Sequence, residues 1–393
     1  MIDSEEAARR LGVKTSSLYA YVSRGLLTSH PSPNGNRSLF DLKEVEQFAE
    51  RSRGSKRVET RLATIATSVT RLGEDGPLYR GVPATSLAAG TSFEAVAELL
   101  WQTEEGAWEP VAIKVHPGLA SRDLIRSVVP LTAACDPLRS DLRPEAVSRA
   151  ARRLIATIVT ALPGPRSVGG EGRSIAELMA DRMGVTEQSP HVVGAINAAL
   201  VLFADHELAT STLAVRLAAS TRADVYDAVL AGLGVLGGPL HGAASELAHG
   251  LIVDVARYGA DKAVDDALRL YRHLPGFGHA VYRSGDPRFD SLYATISAFA
   301  DQQERRCLDS LIEVASSHDL PMPNADLALA ALIHLLDAPK ESGPTIFTVA
   351  RIAGWVAHYL EELREPALRF RSRAVYVTPP EHSSGATDDG IPR

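Results

Sequence analysis

Apolar side chains recur at helical spacing over most of the chain. In SFEAVAELLW, residues 92–101, they fall three and four residues apart, the period of a helix with one buried face. Similar patterns predict helices over 142–162, 190–204, 222–235, 244–258, 292–316 and 345–363. Strand-like alternation is rare beyond residue 92, so the pattern favours a mostly α-helical fold.

Other segments carry no helical pattern. LATIATSVTRLGEDGPLYRG, residues 62–81, combines β-branched residues with a Gly-Glu-Asp-Gly turn and predicts a short hairpin. PGPRSVGGEG, residues 163–172, predicts a loop, and LRFRSRAVYV near the end predicts an extended piece. The tail 379–393 is rich in Pro, Ser, Gly and Asp, and we expect it to be disordered.

Residues 1–53 form a separate unit with shorter elements. Ser4 is the expected N-cap of a first helix, and a second helix begins at Thr15. Asp41 and Glu44 have the spacing of a capping box for a third helix. Residues 54–61, GSKRVETR, are the expected linker to the rest of the chain.

The first unit resembles the helix-turn-helix module, with a small wing, of MerR-like and excisionase-like proteins. The resemblance implies DNA contact through the second helix and the wing. The residues it would offer are Lys14, Thr15, Ser16, Ser17, Tyr19, Arg24 and Arg37. A docking or oligomerisation unit is the alternative, because this geometry also occurs outside DNA binding.

Composition limits the partners and the compartment. The net charge of -7 argues against polyanion binding by the whole surface, although residues 1–60 hold ten basic and eight acidic side chains. Two cysteines, Cys135 and Cys307, are too few for a disulfide framework or a cysteine metal site. The N-terminus has no apolar signal core, and the apolar segment around 193–204 is too short to span a bilayer. We therefore expect a cytoplasmic protein.

Five short motifs after residue 200 concentrate histidine, arginine and aspartate. They are ADHELATST with His206, GGPLHGAASE with His241, GFGHAVYRSGDPR with His279 and Arg288, PMPNADLALA with Asp326, and TIFTVARIAGWVAH with Arg351. Guanidinium groups bind carboxylates in a bidentate manner, imidazoles donate to carbonyl oxygens, and an aspartate can act as a base. Metal-ligand spacing, a phosphate-binding P-loop and the GxSxG elbow are all absent from the sequence.

Each motif alone also has a structural interpretation. His206 and His241 can be ordinary core or surface histidines, and the glycines before His279 can form a simple turn. Asp326 at a helix start can serve the helix dipole, and Arg351 can belong to a buried ion pair. Only their combination favours a site for a small polycarboxylate.

In this order the motifs resemble those of the citrate synthase family. GPLHGAASE is similar to the family's HGGANE region, GFGHAVYRSGDPR to its GFGHxVYxDPR region, and PNADLA to its PNVDFYS region. DHELATST, ARIAGWVAH, SLAAGTSFEAVAELLW and FRSRAVYV are similar to further family segments, so the resemblance covers about residues 62–377. It implies condensation of acetyl-CoA with oxaloacetate and water to citrate and CoA, without a metal or a permanently bound cofactor.

The resemblance also implies residue roles. His241 would hydrogen-bond the thioester oxygen, Asp326 would remove the methyl proton, and His279 would polarise the oxaloacetate carbonyl. The carboxylates would be held by His206, Arg288, Arg351 and, from a partner subunit, Arg371. Coenzyme A would lie along Pro275, Gly276, Phe277 and Gly278. Arg283 has two open interpretations, contact with a CoA phosphate or an ion pair with Asp286.

The implied architecture is a large helical domain over 62–243 and 337–378 and a small helical domain over 244–336, in a homodimer. Ala243 and Ser245 depart from the Gly and Asn of the HGGAN string, and Ala328 departs from a position where many members have Ser or Tyr nearby. These departures leave two alternatives open. One is a 2-methylcitrate synthase that uses propionyl-CoA, and the other is a DNA-binding regulator whose body senses a metabolite without turnover.

Overall fold

The computed structural model describes residues 2–11, 13, 15–23, 26–31, 38–41, 44–45, 64–165, 172–238 and 244–371. The chain divides into two compact units, Met1–Ala66 and Thr67–Arg393. Helices dominate the second unit, as the apolar pattern predicts.

The first unit contains two short helices and a small antiparallel sheet. Strand β1 spans Ile2–Asp3, helix α1 spans Ser4–Leu11, and helix α2 spans Thr15–Ser23. Strands β2, Ser29–Pro31, and β3, Ser38–Phe40, complete a sheet with the order β1-β3-β2. A small core of Ala7, Ala8, Leu18, Leu27, Phe40 and Val45 lies between the helices and the sheet.

Two helix caps in this unit differ from those that the sequence predicts. Asp3, not Ser4, caps α1, because its Oδ1 accepts a hydrogen bond from the backbone N–H of Glu6 at 2.9 Å. Asp41 Oδ1 does accept the backbone N–H of Glu44 at 3.3 Å, but the Glu44 carboxylate accepts from Thr28. The rest of the predicted third helix lies outside the described residues.

The second unit begins with the predicted hairpin. Strands β4, Thr70–Gly73, and β5, Gly76–Tyr79, pair antiparallel, and a short strand β6, Val82–Pro83, adds to β5. Gly76 has φ of +99°, a conformation that favours glycine at the turn.

Helices make up most of the remaining described chain. They are α3 Ala84–Ala88, α4 Phe93–Trp101, α5 Ser121–Ala134, α6 Pro144–Ala161, α7 Ile175–Arg182, α8 Pro190–Leu202, α9 Thr210–Ser220, α10 Val225–Leu236, α11 Ala244–Tyr258, α12 Ala260–Tyr271, α13 Pro287–Ser297, α14 Gln302–Ser317, α15 Ala325–Leu335 and α16 Ser342–Glu362. In the described part of the chain, none of them has the length and apolarity to cross a membrane.

The single helix predicted over 292–316 is wrong. The structure has two helices there, α13 and α14, because Asp301 starts a new one. Its side chain accepts the backbone N–H of Glu304, and the Glu304 carboxylate accepts the backbone N–H of Asp301. This reciprocal capping box satisfies the free N–H groups of a new helix start, which the apolar spacing does not reveal.

Helix α16 is the central element of the core. Trp355 is fully buried, and Trp101 of α4 donates its indole N–H to the carbonyl oxygen of Ala353 at 2.8 Å. Gly354 lies so close to the end of α8 that a Cβ there would be 2.3 Å from Asp205 Oδ1. This approach brings the Arg351 turn of α16 next to the segment that carries His206.

Candidate active site

The polar motifs converge on one cavity of about 160 Å³ in the second unit. Its lining residues are Phe203, His206, Ala209, Ala244, Ser245, His279, Arg288, Asp326, Phe347 and Arg351. Five residues predicted from four separate motifs are among them, so groups up to 145 positions apart in the sequence (206 to 351) line the same space.

Two predicted residues are not placed there. His241 belongs to the segment 239–243, which lies outside the described residues. Arg371 is exposed at the end of the last described segment and does not line the cavity of its own chain.

The loop before His279 is fixed by backbone hydrogen bonds. Gly278 donates its N–H to the carbonyl oxygen of Met322 at 2.7 Å, and Asn324 donates its N–H to that of Gly276 at 2.9 Å. Gly276 and Gly278 have φ of +82° and +77°, and a Cβ at Gly276 would be 2.9 Å from the Cβ of Leu327. Glycine is therefore required by conformation and, at Gly276, also by space.

The other two residues of this loop are buried with it. Pro275 is buried, and Phe277 is 9% exposed and forms a β-bridge with Pro323. The segment Pro275–Gly278 is thus held against the residues that lead into α15.

The imidazole of His279 has a defined tautomer. Its Nδ1 accepts hydrogen bonds from the backbone N–H groups of Val281 at 3.1 Å and Tyr282 at 3.2 Å. Since Nδ1 accepts, the ring proton resides on Nε2. Nη2 of Arg288, 3.4 Å from Nε2, is then a close neighbour rather than a donor, and the Nε2–H is available to a ligand.

Both cavity histidines are held neutral. Burial lowers the pKa of His279, and the charge of Arg288 lowers it further, against a smaller opposite effect of Asp286. Burial, Arg288 and Arg351 lower the pKa of His206 well below its ordinary value. The Nε2 atom of His206 is buried and has no hydrogen-bond partner among the described residues.

Arg288 is paired with Asp286 and fixed by it. Nε and Nη2 of Arg288 donate to the two carboxylate oxygens at 3.0 and 2.8 Å, and both side chains are buried. Burial would raise the pKa of Asp286, but the charge and hydrogen bonds of Arg288 hold it below its ordinary value. Asp286 Oδ2 also accepts the backbone N–H of Ala325 at 3.0 Å, which ties this pair to the start of α15.

Asp326 sits in the first turn of α15. Asn324 caps the helix by accepting the Asp326 N–H at 2.9 Å, and its Nδ2 donates to the carbonyl oxygen of Gly278 at 2.8 Å. One side chain thereby sets the spacing between the His279 loop and Asp326. Burial raises the pKa of Asp326, with Arg288 and Arg351 opposing the effect, so this carboxyl is more basic than an exposed aspartate.

Arg351 is 2% exposed and has spare donors. Its Nε donates to the carbonyl oxygen of Phe203 at 3.0 Å, and its guanidinium carbon lies 4.5 Å from the ring centre of Phe347. Within the described ranges, no hydrogen bond uses its two terminal nitrogens. A planar donor pair of this kind matches a carboxylate.

A second group of charges lies behind the cavity, and we call it the buried charge chain. His358 Nε2 lies 3.3 Å from Asp205 Oδ2, and His358 Nδ1 accepts from Arg216 at 2.9 Å. Arg216 also donates to Glu361 and, at 2.9 Å, to Glu362, whose two oxygens accept from Arg369 at 2.7 and 2.6 Å. The buried charge chain comprises Asp205, Arg216, His358, Glu361, Glu362 and Arg369.

Several residues that organise the site were missed from the sequence. Asp286 pairs with Arg288, so the predicted alternative of an Arg283–Asp286 pair is wrong. The signal for Asn324 is its residue type, since asparagine is a preferred N-cap and stands directly before the helix α15. Phe203 and Phe347 read as ordinary core residues in the sequence, and only their position reveals their part in the site. Tyr282 lies within the motif GFGHAVYRSGDPR, but the sequence indicates no role for its ring.

Among the residues that the structure describes, no three His, Cys, Asp or Glu side chains are arranged to hold a metal ion.

The chain is similar to known proteins over most of its length. The family model described as "Citrate synthase, C-terminal domain" matches residues 54–373. Citrate synthase 2 of Bacillus subtilis (strain 168) is 31% identical over 352 residues, which is 80% of this chain and 93% of that protein. The 2-methylcitrate synthase of Mycobacterium tuberculosis is 31% identical over 326 residues, 74% of this chain and 82% of that protein.

A solved structure is similar in fold. Citrate synthase from Thermotoga maritima MSB8 superposes with a TM-score of 0.66 at 25% identity, covering 83% of this chain and 96% of that one. Together, the family model and the length and identity of these matches establish that the chain belongs to the citrate synthase family of acyl-CoA-condensing transferases.

Proposed function

We propose that this enzyme condenses acetyl-CoA with oxaloacetate and water to give citrate and CoA. The observation that carries the proposal is the single cavity lined by His206, His279, Arg288, Asp326 and Arg351. It combines a base, two neutral imidazoles and two guanidinium groups, which is the set needed to deprotonate a thioester and bind a dicarboxylate. Citrate synthases use acetyl-CoA as a substrate and no metal.

In the first step Asp326 removes a proton from the acyl methyl group. A thioester α-proton is too weakly acidic for an ordinary carboxylate, so the developing enolate oxygen needs a fixed donor. The raised pKa of Asp326 makes it a stronger base, which favours this step. We assign the donor for the enolate oxygen to His241, which lies outside the described residues.

In the second step the enolate carbon attacks the carbonyl carbon of oxaloacetate. The Nε2–H of His279 polarises the carbonyl oxygen, and its neutral state suits a hydrogen-bond donor that later transfers its proton. The free donors of Arg351, the remaining Nη1 of Arg288 and the unpartnered Nε2 of His206 hold the carboxylates. Water then hydrolyses the citryl thioester and releases CoA.

We further propose that two domains meet at this cavity, a large one over 62–243 and 337–378 and a small one over 244–336. The hydrogen bonds of Asn324 join the His279 loop and Asp326 on the small side, while Phe203 and Arg351 are joined on the large side. We assign coenzyme A to the segment Pro275–Gly278 at the edge between them. Closure of the two domains would exclude water from the enolate.

We propose that the protein is a homodimer and that Arg371 completes the partner's site. The exposed apolar side chains on α11 and α12 support self-association. They are Leu247, Val253, Tyr258, Leu270 and Tyr271. Light scattering tests the dimer, and Arg371→Gln should lower turnover without changing the measured mass.

The decisive experiment is a thiol-release assay with oxaloacetate and either acetyl-CoA or propionyl-CoA. The expected result is CoA release, faster with acetyl-CoA. No release from pure, folded protein with either thioester would refute catalysis and leave the metabolite-sensing regulator as the better interpretation.

A 2-methylcitrate synthase is the second candidate. It is favoured by the similarity to the Mycobacterium tuberculosis enzyme and by the small side chains of Ala209 and Ala244 in the cavity wall. A larger kcat/KM for propionyl-CoA in the same assay would select it.

We also propose that residues 1–53 bind DNA through a helix-turn-helix. Two helices joined by a short turn and followed by a small antiparallel sheet favour this proposal, with Thr15 and Tyr19 exposed on α2. Lys14, Arg24 and Arg37 lie outside the described residues. Duplex binding that weakens as salt increases is the expected result, and no binding at low salt would favour the docking alternative.

A further inference from the structure

We propose that the aromatic ring of Tyr282 is a positioning element of the active site, which fixes the His279 imidazole and so aims its Nε2–H at the acceptor carbonyl. The inference rests on the proposed role of His279. It adds a residue that touches no reacting atom and acts through its neighbours.

The ring of Tyr282 contacts three of the five polar cavity residues. It stacks on His279 with 4.7 Å between ring centres and 24° between planes. It meets the ring of His206 edge-on at 5.7 Å, and the Arg288 guanidinium carbon lies 5.4 Å from its centre. Stacking and cation–π contacts of this kind restrict the orientation of all three groups.

The backbone of Tyr282 acts on the same imidazole. Its N–H donates to Nδ1 of His279 at 3.2 Å, alongside the N–H of Val281 at 3.1 Å. These bonds determine which nitrogen carries the proton, and the stacked ring limits rotation about the His279 side-chain bonds. Tyr282 therefore contributes to the tautomer through its backbone, together with Val281, and to the direction of the catalytic hydrogen bond through its ring.

The hydroxyl group contributes nothing comparable. Tyr282 is 5% exposed, and its hydroxyl oxygen is buried without a hydrogen-bond partner among the described residues. Burial raises the pKa of Tyr282 to about 12, so the hydroxyl stays protonated at neutral pH. Ring and hydroxyl can thus be separated by substitution, because Tyr282→Phe removes a group that bonds nothing described.

The simplest alternative is that Tyr282 only fills the core. Tyr226 on α10 provides the matched control, since it is similarly enclosed, at 0% against 5% exposed, but its ring stacks on none of the described cavity residues. Its hydroxyl donates to Asp136 Oδ2 at 2.9 Å, unlike that of Tyr282. Substitution of either tyrosine by leucine removes the same atoms, so a purely structural role predicts similar consequences for both.

The experiment compares the full-length variants Tyr282→Phe, Tyr282→Leu, Tyr226→Phe and Tyr226→Leu by thiol release and thermal unfolding. We expect Tyr282→Leu to lower kcat by about 10- to 100-fold, the scale of a misplaced catalytic group, with KM for the acyl-CoA unchanged. Tyr282→Phe should stay within about twofold of the parent enzyme, and Tyr226→Leu should lose thermal stability with kcat per folded molecule unchanged.

Two kinetic outcomes would overturn the proposal. One is a normal kcat in Tyr282→Leu, and the other is a Tyr282→Phe enzyme as impaired as Tyr282→Leu, which would make the hydroxyl the active group. Tyr282→Met, which fills more of the space, is the second variant if leucine prevents folding. If neither folds while Tyr226→Leu does, Tyr282 is a structural residue and the proposal fails.

A structural measurement separates this inference from the proposed reaction. If the parent enzyme releases no CoA, the proposed function fails, and crystal structures of the parent and Tyr282→Leu proteins then decide the inference. A His279 ring that turns away from the N–H groups of Val281 and residue 282 in the variant would support it. An unchanged ring orientation would overturn it.

Discussion

The second unit holds two clusters of charge that lie next to each other and are built in opposite ways. In the buried charge chain, Arg216 and Glu362 are fully buried and each has charged or hydrogen-bonding partners on every side. In the cavity, Arg351 and His206 are also enclosed, but they retain polar atoms without a partner in the described residues. Buried polar groups are normally satisfied. Among the described residues the buried charge chain follows this rule except at Asp205 Oδ1, so the cavity, with its open donors, is the cluster that awaits a ligand.

The difference separates stability from function. The desolvation cost of a buried ion pair offsets much of its Coulomb energy. Breaking the pair is still strongly destabilising, because one charge is then left buried without a partner. Unpaired donors in a cavity instead lower stability and are retained where they bind or react with something. Substitutions in the buried charge chain should therefore lower the free energy of unfolding, whereas substitutions in the cavity should lower activity or ligand binding.

The largest effect is expected from removal of the base. Asp326→Asn should lower kcat by about 10³-fold, the usual contribution of a general base, while oxaloacetate binding and thermal stability stay near those of the parent protein. Thiol-release kinetics and calorimetry measure both. Asp261→Asn is the matched control, since Asp261 also follows an alanine in the first turn of a helix but is exposed. An Asp326→Asn enzyme with retained turnover would refute the assigned base.

The next effect concerns the buried charge chain. Arg216→Met leaves Glu361 without its cation and Glu362 with Arg369 alone, and it should cost about 3–5 kcal/mol in the free energy of unfolding. Lys262→Met breaks an exposed pair with Asp266 and should cost less than about 1 kcal/mol. Urea unfolding gives both values. Equal costs in the two variants would contradict the distinction between paired burial and surface charge.

The smallest effect is a dependence of stability on pH. Burial would raise the pKa of Glu361, but hydrogen bonds from Ser68 and Thr67 and the charge of Arg216 lower it from 4.5 to about 2. Since the folded pKa is depressed, the stabilisation is complete above pH 4.5 and is lost as pH falls toward 2. The difference in unfolding free energy between the parent and Glu361→Gln should be constant from pH 7 to about 5 and should shrink below that. If this difference in unfolding free energy grew as the pH fell, the pKa of Glu361 would be raised rather than lowered in the folded protein, and the assignment would be wrong.

Sequence reasoning recovers the helices better than it recovers their boundaries. Apolar spacing predicts α6, α8, α11 and α16 because each has a wide buried face. It misses the break between α13 and α14, because the break depends on Asp301 and Glu304 caps rather than on apolar residues. It also places the first cap at Ser4 instead of Asp3, a displacement of one residue that depends on local geometry.

The candidate site, too, is predicted only in part from the sequence. The sequence supplies the reactive residue types, and the family resemblance supplies their expected roles, but neither supplies their distances. That His279 presents Nε2–H follows from two backbone donors, and that Asp286 pairs with Arg288 rather than Arg283 follows from a turn. Tyr282 lies in the same motif as His279 and Arg288, but its contact with His206 joins it to a distant part of the sequence, and neither apolar spacing nor the motif predicts these ring contacts.

The most direct test of the comparison is a calorimetric titration of the protein with oxaloacetate alone. We expect saturable binding at one site per chain that weakens about 100-fold in Arg351→Gln, since a guanidinium–carboxylate pair in a buried site is lost. Arg364→Gln, which removes the same charge from an exposed position, should bind as the parent protein does. No detectable binding, or equal affinity in Arg351→Gln and the parent, would contradict the claim that the unsatisfied cluster is the substrate site.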